Sequence, residues 1–186
     1  MKDSGAANRY IKSLLSLAVE RGVLEDVHQD MLLFSNTCKE NRNFELMLLS
    51  PVIRHDDKKK ILRKIFSEKV NPLSLALFDI MTSKNREAIL PAIAKKFHFA
   101  YNEYKGISRA YLTTPFTVDA EFRKEIENMV KKLSHKDSVE LIEKKNSDLI
   151  GGFILQVGDK QIDTSIKSKL KILDLKFKED FFVNKN

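Results

Sequence analysis

The run from Leu149 to Leu170, LIGGFILQVGDKQIDTSIKSKL, limits what this chain can fold into more than any other stretch. Paired glycines, Gly151-Gly152, open it, and Phe153, Leu155 and Val157 then alternate with Ile154 and Gln156. That is the period of a strand with one buried face. Gly158-Asp159-Lys160 breaks the strand where a hairpin needs residues that tolerate the left-handed region. Gln161-Ile162-Asp163 follows as a short return strand, and Thr164-Ser165 supplies a hydroxyl that can cap a helix carrying Ile166, Leu170 and Leu173. The spacing predicts strand, tight turn, short strand, helix. The glycines precede the strand, whereas a phosphate-cradling loop places them between a strand and a helix.

The first half has a different rhythm. Apolar residues at 7, 11, 14, 15 and 18 trace a helix face that Gly22 ends. Leu24, Val27, Met31, Phe34 and Cys38 mark a second helix, and Asn43 is read as the cap of a short third one that Pro51 stops. Asp56-Asp57 opens a fourth helix, where negative charge complements the macrodipole. Asn71-Pro72 starts a fifth, apolar nearly all round, and a sixth beginning near Ala88 runs to Tyr104, with Gly106 beyond it. Six helices on short connections describe a compact bundle over residues 1–105. From Ile107 the period turns strand-like. Ile107–Thr113 and Ser138–Glu143 read as strands around a helix capped by Thr117 or Asp119 and faced by Phe122, Ile126, Met129, Val130 and Leu133. The fold class expected is α+β and mostly helical: a six-helix bundle, then a small C-terminal α/β unit with a hairpin over residues 106–186. Phe177, Phe181 and Phe182, between charges at the end, are either a frayed helix end or a partner contact.

Catalytic patterns are missing from the sequence. His28, His55, His98 and His135 are widely spaced, and the single cysteine, Cys38, reads as a small buried hydrophobe. Neither a Walker loop nor a nucleophile elbow occurs, so a non-enzyme without cofactor or metal is expected. No apolar run reaches the ~20 residues of a membrane span, and no signal peptide is read at the start. The net charge of +7 has both signs interspersed, which permits an acidic partner without demanding one. Lys58-Lys59-Lys60 with Arg63-Lys64 is the sharpest basic run. Read beside Ile61, Leu62, Ile65 and Phe66 it is the solvated face of a helix; the alternatives are a face for an acidic protein or lipid headgroups, and a basic helical protein binding nucleic acid. The first and fifth helices carry an excess of apolar residues for so small a bundle, and these are either central core or the walls of a docking groove. A groove between them would accept an amphipathic helix from another chain.

Several of these motifs together resemble the delta subunit of the rotary F-type ATP synthase, whose mitochondrial counterpart is the oligomycin sensitivity-conferring protein. The resemblance rests on Gly151-Gly152, the alternating strand, Gly158-Asp159, Ile162-Asp163 and the Ser-led basic helix. It extends through Tyr10-Leu14, Asn71-Pro72-Leu73, Asn85-Arg86 and Tyr101 to Ile107. Lys145 departs from the family's aliphatic preference before Asn146, and Thr164 from its glycine. The resemblance implies a non-catalytic stator subunit that keeps the catalytic head from turning with the rotor. Its N-terminal bundle would hold the N-terminal helix of an alpha subunit between the first and fifth helices, at Tyr10, Leu14, Leu17, Phe78 and Met81. Its C-terminal unit would meet the b subunits of the peripheral stalk, with Ile150, Phe153, Ile166 and Leu170 as candidates. It implies no nucleic-acid partner and a peripheral place on the cytoplasmic face of a bacterial inner membrane, reached only through the complex. Bending between the two units is expected near Lys105-Gly106.

Overall fold

The computed structural model describes residues 2–183, with side chains over residues 7–175. The chain divides into two compact units, Met1–Tyr104 and Lys105–Asn186.

The first unit is a bundle of α1 (Lys2–Glu20), α2 (Leu24–Glu40), α3 (Arg42–Leu49), α4 (His55–Phe66), α5 (Pro72–Ser83) and α6 (Leu90–Tyr104). Gly22, at φ +68°, ends α1 and lets Val23 N–H reach back to the Ala18 carbonyl at 2.9 Å. Asn41, not Asn43, caps α3, because its Oδ1 accepts from Phe44 N–H at 3.1 Å. Asn71 caps α5 as expected, accepting from Leu73 N–H at 3.0 Å with Pro72 in the first turn. A 3₁₀ turn at Glu87–Ile89 precedes α6, so α6 starts at Leu90 with Pro91 in its first turn.

An aromatic knot occupies the bundle centre. The Phe78 ring lies 4.9 Å from Phe34 and 5.6 Å from Phe66. Val27, Met31, Leu48, Leu62, Met81, Ile93 and Phe97 are buried in the same unit. α5 packs against α4, α2, α1 and the 3₁₀ turn, and this many neighbours explains why it is apolar nearly all round.

Two polar ties cross the interior. Asp30 Oδ2 accepts from Asn71 N–H at 2.8 Å and Ser74 Oγ–H at 2.6 Å, joining α2 to the start of α5. Burial pushes the Asp30 carboxyl above its ordinary value, and these two hydrogen bonds oppose the shift. Lys58 corrects the reading of its run as wholly solvated, since its side chain is 3% exposed. Its Nζ donates to Glu87 Oε1 at 2.7 Å and to the Leu48 and Ser50 carbonyls at 3.0 and 2.7 Å. Those carbonyls at the end of α3 have no partner within the helix, so the ammonium closes α3 while Glu87 neutralises it. Cys38 is buried, and loss of solvent pushes its thiol up to about 11, with Glu45 adding to the shift.

The second unit runs β1 (Ile107–Thr114), α7 (Ala120–Ser134), β2 (Ser138–Lys145), β3 (Ile154–Val157), β4 (Lys160–Asp163) and α8 (Ile166–Val183), with a 3₁₀ turn at Ser147–Leu149. The sheet order is β2-β1-β3-β4, with β1 and β2 parallel and the other pairs antiparallel. A parallel neighbour needs a crossover, and α7 is that crossover. Asp119 caps it, accepting from Phe122 N–H at 2.8 Å. Ala110, Leu112, Leu155 and Val157 meet Ile126 and Val130 of α7 in the core, with Phe122, Val139, Leu141 and Phe153 around them. The buried positions of β1 are Ser108, Ala110, Leu112 and Thr114, and Ile107 lies on the opposite face. Lys145 lies exposed at the end of edge strand β2, where no apolar contact is asked of it.

Candidate partner-binding surfaces

The five positions expected to line a groove between α1 and α5 separate into two groups. Leu14, Phe78 and Met81 are sealed in the core, with Phe78 1% and Met81 0% exposed, so as direct contacts they are corrected. Helical period could not show this, because α5 has no polar stripe to mark its outer side. Leu17 is 40% exposed and Tyr10 half-buried, and on α5 it is Ile80 that faces out. Arg86 Nη1 donates to Tyr10 Oη at 3.1 Å, tying the segment after α5 to α1. Arg9, Ser13 and Lys84 complete a cleft of about 330 Å³ there. A wider cleft of about 680 Å³, which sequence periodicity did not locate, lies between α1 and α6. Ile11, Leu15, Phe99 and Tyr104 form its apolar wall, and Lys12, Lys96 and Glu103 its rim.

In the second unit the paired glycines hold the start of α8. A Cβ on Gly151 would lie 2.6 Å from Ile166 Cδ1, and one on Gly152, at φ +74°, would lie 2.4 Å from the Thr164 carbonyl oxygen. Thr164 is locked to Phe153: its N–H donates to the Phe153 carbonyl at 2.9 Å, and its Oγ1 lies 3.1 Å from Phe153 N–H and 3.0 Å from that carbonyl. Thr164 therefore has a structural role here, and capping falls to Ser165, whose Oγ accepts from Ser168 N–H at 3.3 Å. Asp163 accepts from Ser165 N–H at 2.8 Å and Ser168 Oγ–H at 2.7 Å. Hydrogen bonding to Ser165 and Ser168 holds its carboxyl below the usual range.

Of the four candidates in this unit, Ile150 stands furthest out, at 67% exposed. It sits at φ +64°, uncommon for a β-branched residue, in a tight turn where Gly151 N–H reaches the Leu149 carbonyl at 2.7 Å. Ile166 and Leu170 are exposed, and Leu173 one turn further extends their stripe. Phe153 faces inward instead, its ring edge-on to Phe122 at 5.7 Å. The side chains of Phe177, Phe181 and Phe182 lie outside the described residues.

Reactive chemistry finds little support. Among the described residues no His, Cys, Asp and Glu group could hold a metal ion. Sequence spacing did miss one pairing: His28 and His98 meet at 2.9 Å. The exposed part of the basic run is partly neutralised. Arg63 grips Asp79 through Nε–Oδ1 at 3.0 Å and Nη2–Oδ2 at 2.5 Å, with Lys59 at 3.8 Å from the same carboxylate. Arg63 holds the Asp79 carboxyl low, chiefly through that hydrogen bond. Among the described residues no helix is long and apolar enough to cross a membrane. The geometry suits binding through apolar helix faces.

Comparison with known proteins agrees with this architecture. The family model of the ATP synthase delta (OSCP) subunit matches residues 6–177. The ATP synthase subunit delta of Christiangramia forsetii is 35% identical over 185 residues, covering 100% of both chains. That of Cytophaga hutchinsonii is 35% identical over 96% of this chain and 97% of its own. A chain of the Toxoplasma gondii mitochondrial ATP synthase hexamer, solved by cryo-EM, shares the fold at a TM-score of 0.74 and 22% identity, covering 92% of this chain and 96% of that one. The chain belongs to the ATP synthase delta (OSCP) subunit family, whose members are non-catalytic accessory subunits of the complex.

Proposed function

We propose that this chain is the stator joint of a bacterial F-type ATP synthase, tying the catalytic head to the peripheral stalk so that the head resists the torque of the rotor. The observation that carries the reading is one apolar helix surface left uncovered on each unit of a family member: Leu17 and Ile80 on α1 and α5, and Ile166, Leu170 and Leu173 on α8. On the first unit the occupant is the N-terminal helix of an alpha subunit, seated on Tyr10 and Leu17. Leu14, Phe78 and Met81 back the surface from inside, fixing α1 against α5. On the second unit the occupant is the end of the b subunits, reached by Ile150, Ile166 and Leu170, with Phe153 holding Thr164 just ahead of α8. A joint under load needs buried apolar contact, because exposed ion pairs contribute only about 0–1 kcal/mol each. The subunit then sits on the cytoplasmic face of the membrane as part of the complex.

Calorimetry with an alpha-subunit N-terminal peptide tests the first contact. Leu17→Asp should weaken binding by about 2–4 kcal/mol, the range of an interface anchor, with the fold intact. Leu170→Asp should leave this peptide's affinity unchanged and weaken capture of the b segment. Unchanged peptide affinity in Leu17→Asp would remove the groove assignment.

A further inference from the structure

The Asn85-Arg86 pair closes α5 and brings a cation to α1. Asn85 takes the left-handed conformation at φ +54°. Its N–H donates to the Thr82 carbonyl at 3.0 Å, and Arg86 N–H reaches back to the Met81 carbonyl at 2.8 Å. This bond pattern stops a helix and fixes the direction in which the chain leaves it. Arg86 Nη1 thereby meets Tyr10 Oη of α1 at 3.1 Å.

Arg9, Lys84 and Arg86 line the cleft of about 330 Å³ at this point, together with the hydroxyls of Tyr10 and Ser13. None of these wall residues is acidic. The carboxylates on neighbouring turns are engaged elsewhere, Asp79 with Arg63 and Lys59, and Glu87 with Lys58. Among the described residues neither Arg9 nor Lys84 has an ion-pair partner. Tyr10 Oη accepts from Arg86, which leaves its own proton for a further acceptor, and the exposed Ser13 offers a second hydroxyl. Helix-end electrostatics accounts for Lys84 and Arg86 at the close of α5, but not for Arg9 within α1. Three cations and two hydroxyl donors without an acid make a wall suited to an oxyanion.

The cleft also continues the exposed apolar face. Tyr10, Ser13 and Leu17 stand at i, i+3 and i+7 along one side of α1, and Ile80 and Lys84 at i and i+4 along one side of α5. From Leu17 back to Tyr10, and from Ile80 on to Lys84, apolar surface gives way to positive charge on both helices. A helix whose apolar stripe lies on Leu17 and Ile80 carries the side chains two turns away, roughly 10 Å, over these cations.

We propose, resting on the docking reading above, that this cleft is a carboxylate subsite. It takes an Asp or Glu side chain of the alpha-subunit N-terminal helix, about two turns from the apolar residue that meets Leu17. The apolar face holds the helix, and the charged end fixes the direction and register in which it lies.

The test is calorimetry of the full chain with an alpha-subunit N-terminal peptide and with the same peptide carrying Asn and Gln in place of every Asp and Glu. The double variant Arg9→Gln, Lys84→Gln leaves the Tyr10–Arg86 bond in place. It should bind the acidic peptide about three- to thirtyfold more weakly than wild type, the loss of two exposed ion pairs, and the gap should shrink at high salt. Lys39→Gln, which removes a cation from a different cleft, should match wild type. The amidated peptide should bind wild type and the double variant equally. An acidic peptide that binds through Leu17 yet does not distinguish the double variant overturns the subsite alone. So does an equal loss with the amidated peptide, or an equal loss in Lys39→Gln. No peptide binding, or binding indifferent to Leu17→Asp, removes the docking reading and the subsite with it.

Discussion

Gly152→Ala should be the most damaging single-methyl change in the C-terminal unit. At φ +74° a non-glycine residue costs about 1–2 kcal/mol. The added Cβ would also stand 2.4 Å from the Thr164 carbonyl oxygen, 2.9 Å from its carbon and 3.0 Å from Ser165 Cα. These are backbone atoms held in place, because Thr164 is bonded to Phe153 and Ile166 N–H donates to the Gly151 carbonyl at 3.0 Å. Overpacking against a fixed neighbour adds about 1–3 kcal/mol, for a total of about 2–5 kcal/mol. Gly158 supplies the control. It too has a positive φ, +56°, but an added Cβ there meets nothing within 4 Å, so Gly158→Ala should cost only the conformational part. Equilibrium urea unfolding of the full chain, with β3 and β4 amide signals as the probe, separates the two. Thr164→Gly should not rescue Gly152→Ala, since the clash is with main chain. Equal losses in the two alanine variants would refute this account of the paired glycines.

Two other perturbations probe the bundle. Lys58→Ala leaves Glu87 buried without its cation and the Leu48 and Ser50 carbonyls without their donor. Breaking one side of such a pair should cost about 3–5 kcal/mol in denaturant unfolding, and the double variant Lys58→Met, Glu87→Leu should recover much of it. Asp79 gives a pH signature. Because Arg63 depresses its carboxyl, its contribution is fully present above the ordinary value near pH 3.9 and is lost as pH falls through the depressed one. Asp79→Asn should erase that part of the acid loss, read by comparing unfolding curves of the two proteins between about pH 5 and pH 2.

Much of this fold is legible in the sequence because local rules agree with the tertiary outcome. Asn71-Pro72 caps α5, Asp119 caps α7, and Gly158-Asp159 turns the hairpin. Where two local signals compete, as with Asn41 and Asn43, only the hydrogen bond to Phe44 decides. The side of α5 that faces out was not legible, because a helix apolar nearly all round carries no phase. For that reason sequence alone points to Phe78 and Met81 as surface, where the structure exposes Ile80. Long-range pairs are hidden for another reason. Nothing near Lys58 sets it apart from Lys59 and Lys60; its distinction comes from Glu87, across the bundle. His28 and His98 likewise meet only when α2 and α6 pack. The parallel pairing of β1 with β2 depends on α7 returning the chain, which alternation within either strand does not encode.

The central claim is that one chain holds two partners at once, one per unit. Sedimentation velocity on the full chain mixed with an alpha-subunit N-terminal peptide fused to a carrier and a soluble b segment tests it directly. The account predicts a single three-component species, with each partner's affinity unchanged by saturation with the other. Mutually exclusive binding, or both partners lost together in Leu17→Asp while the chain stays folded, would contradict it.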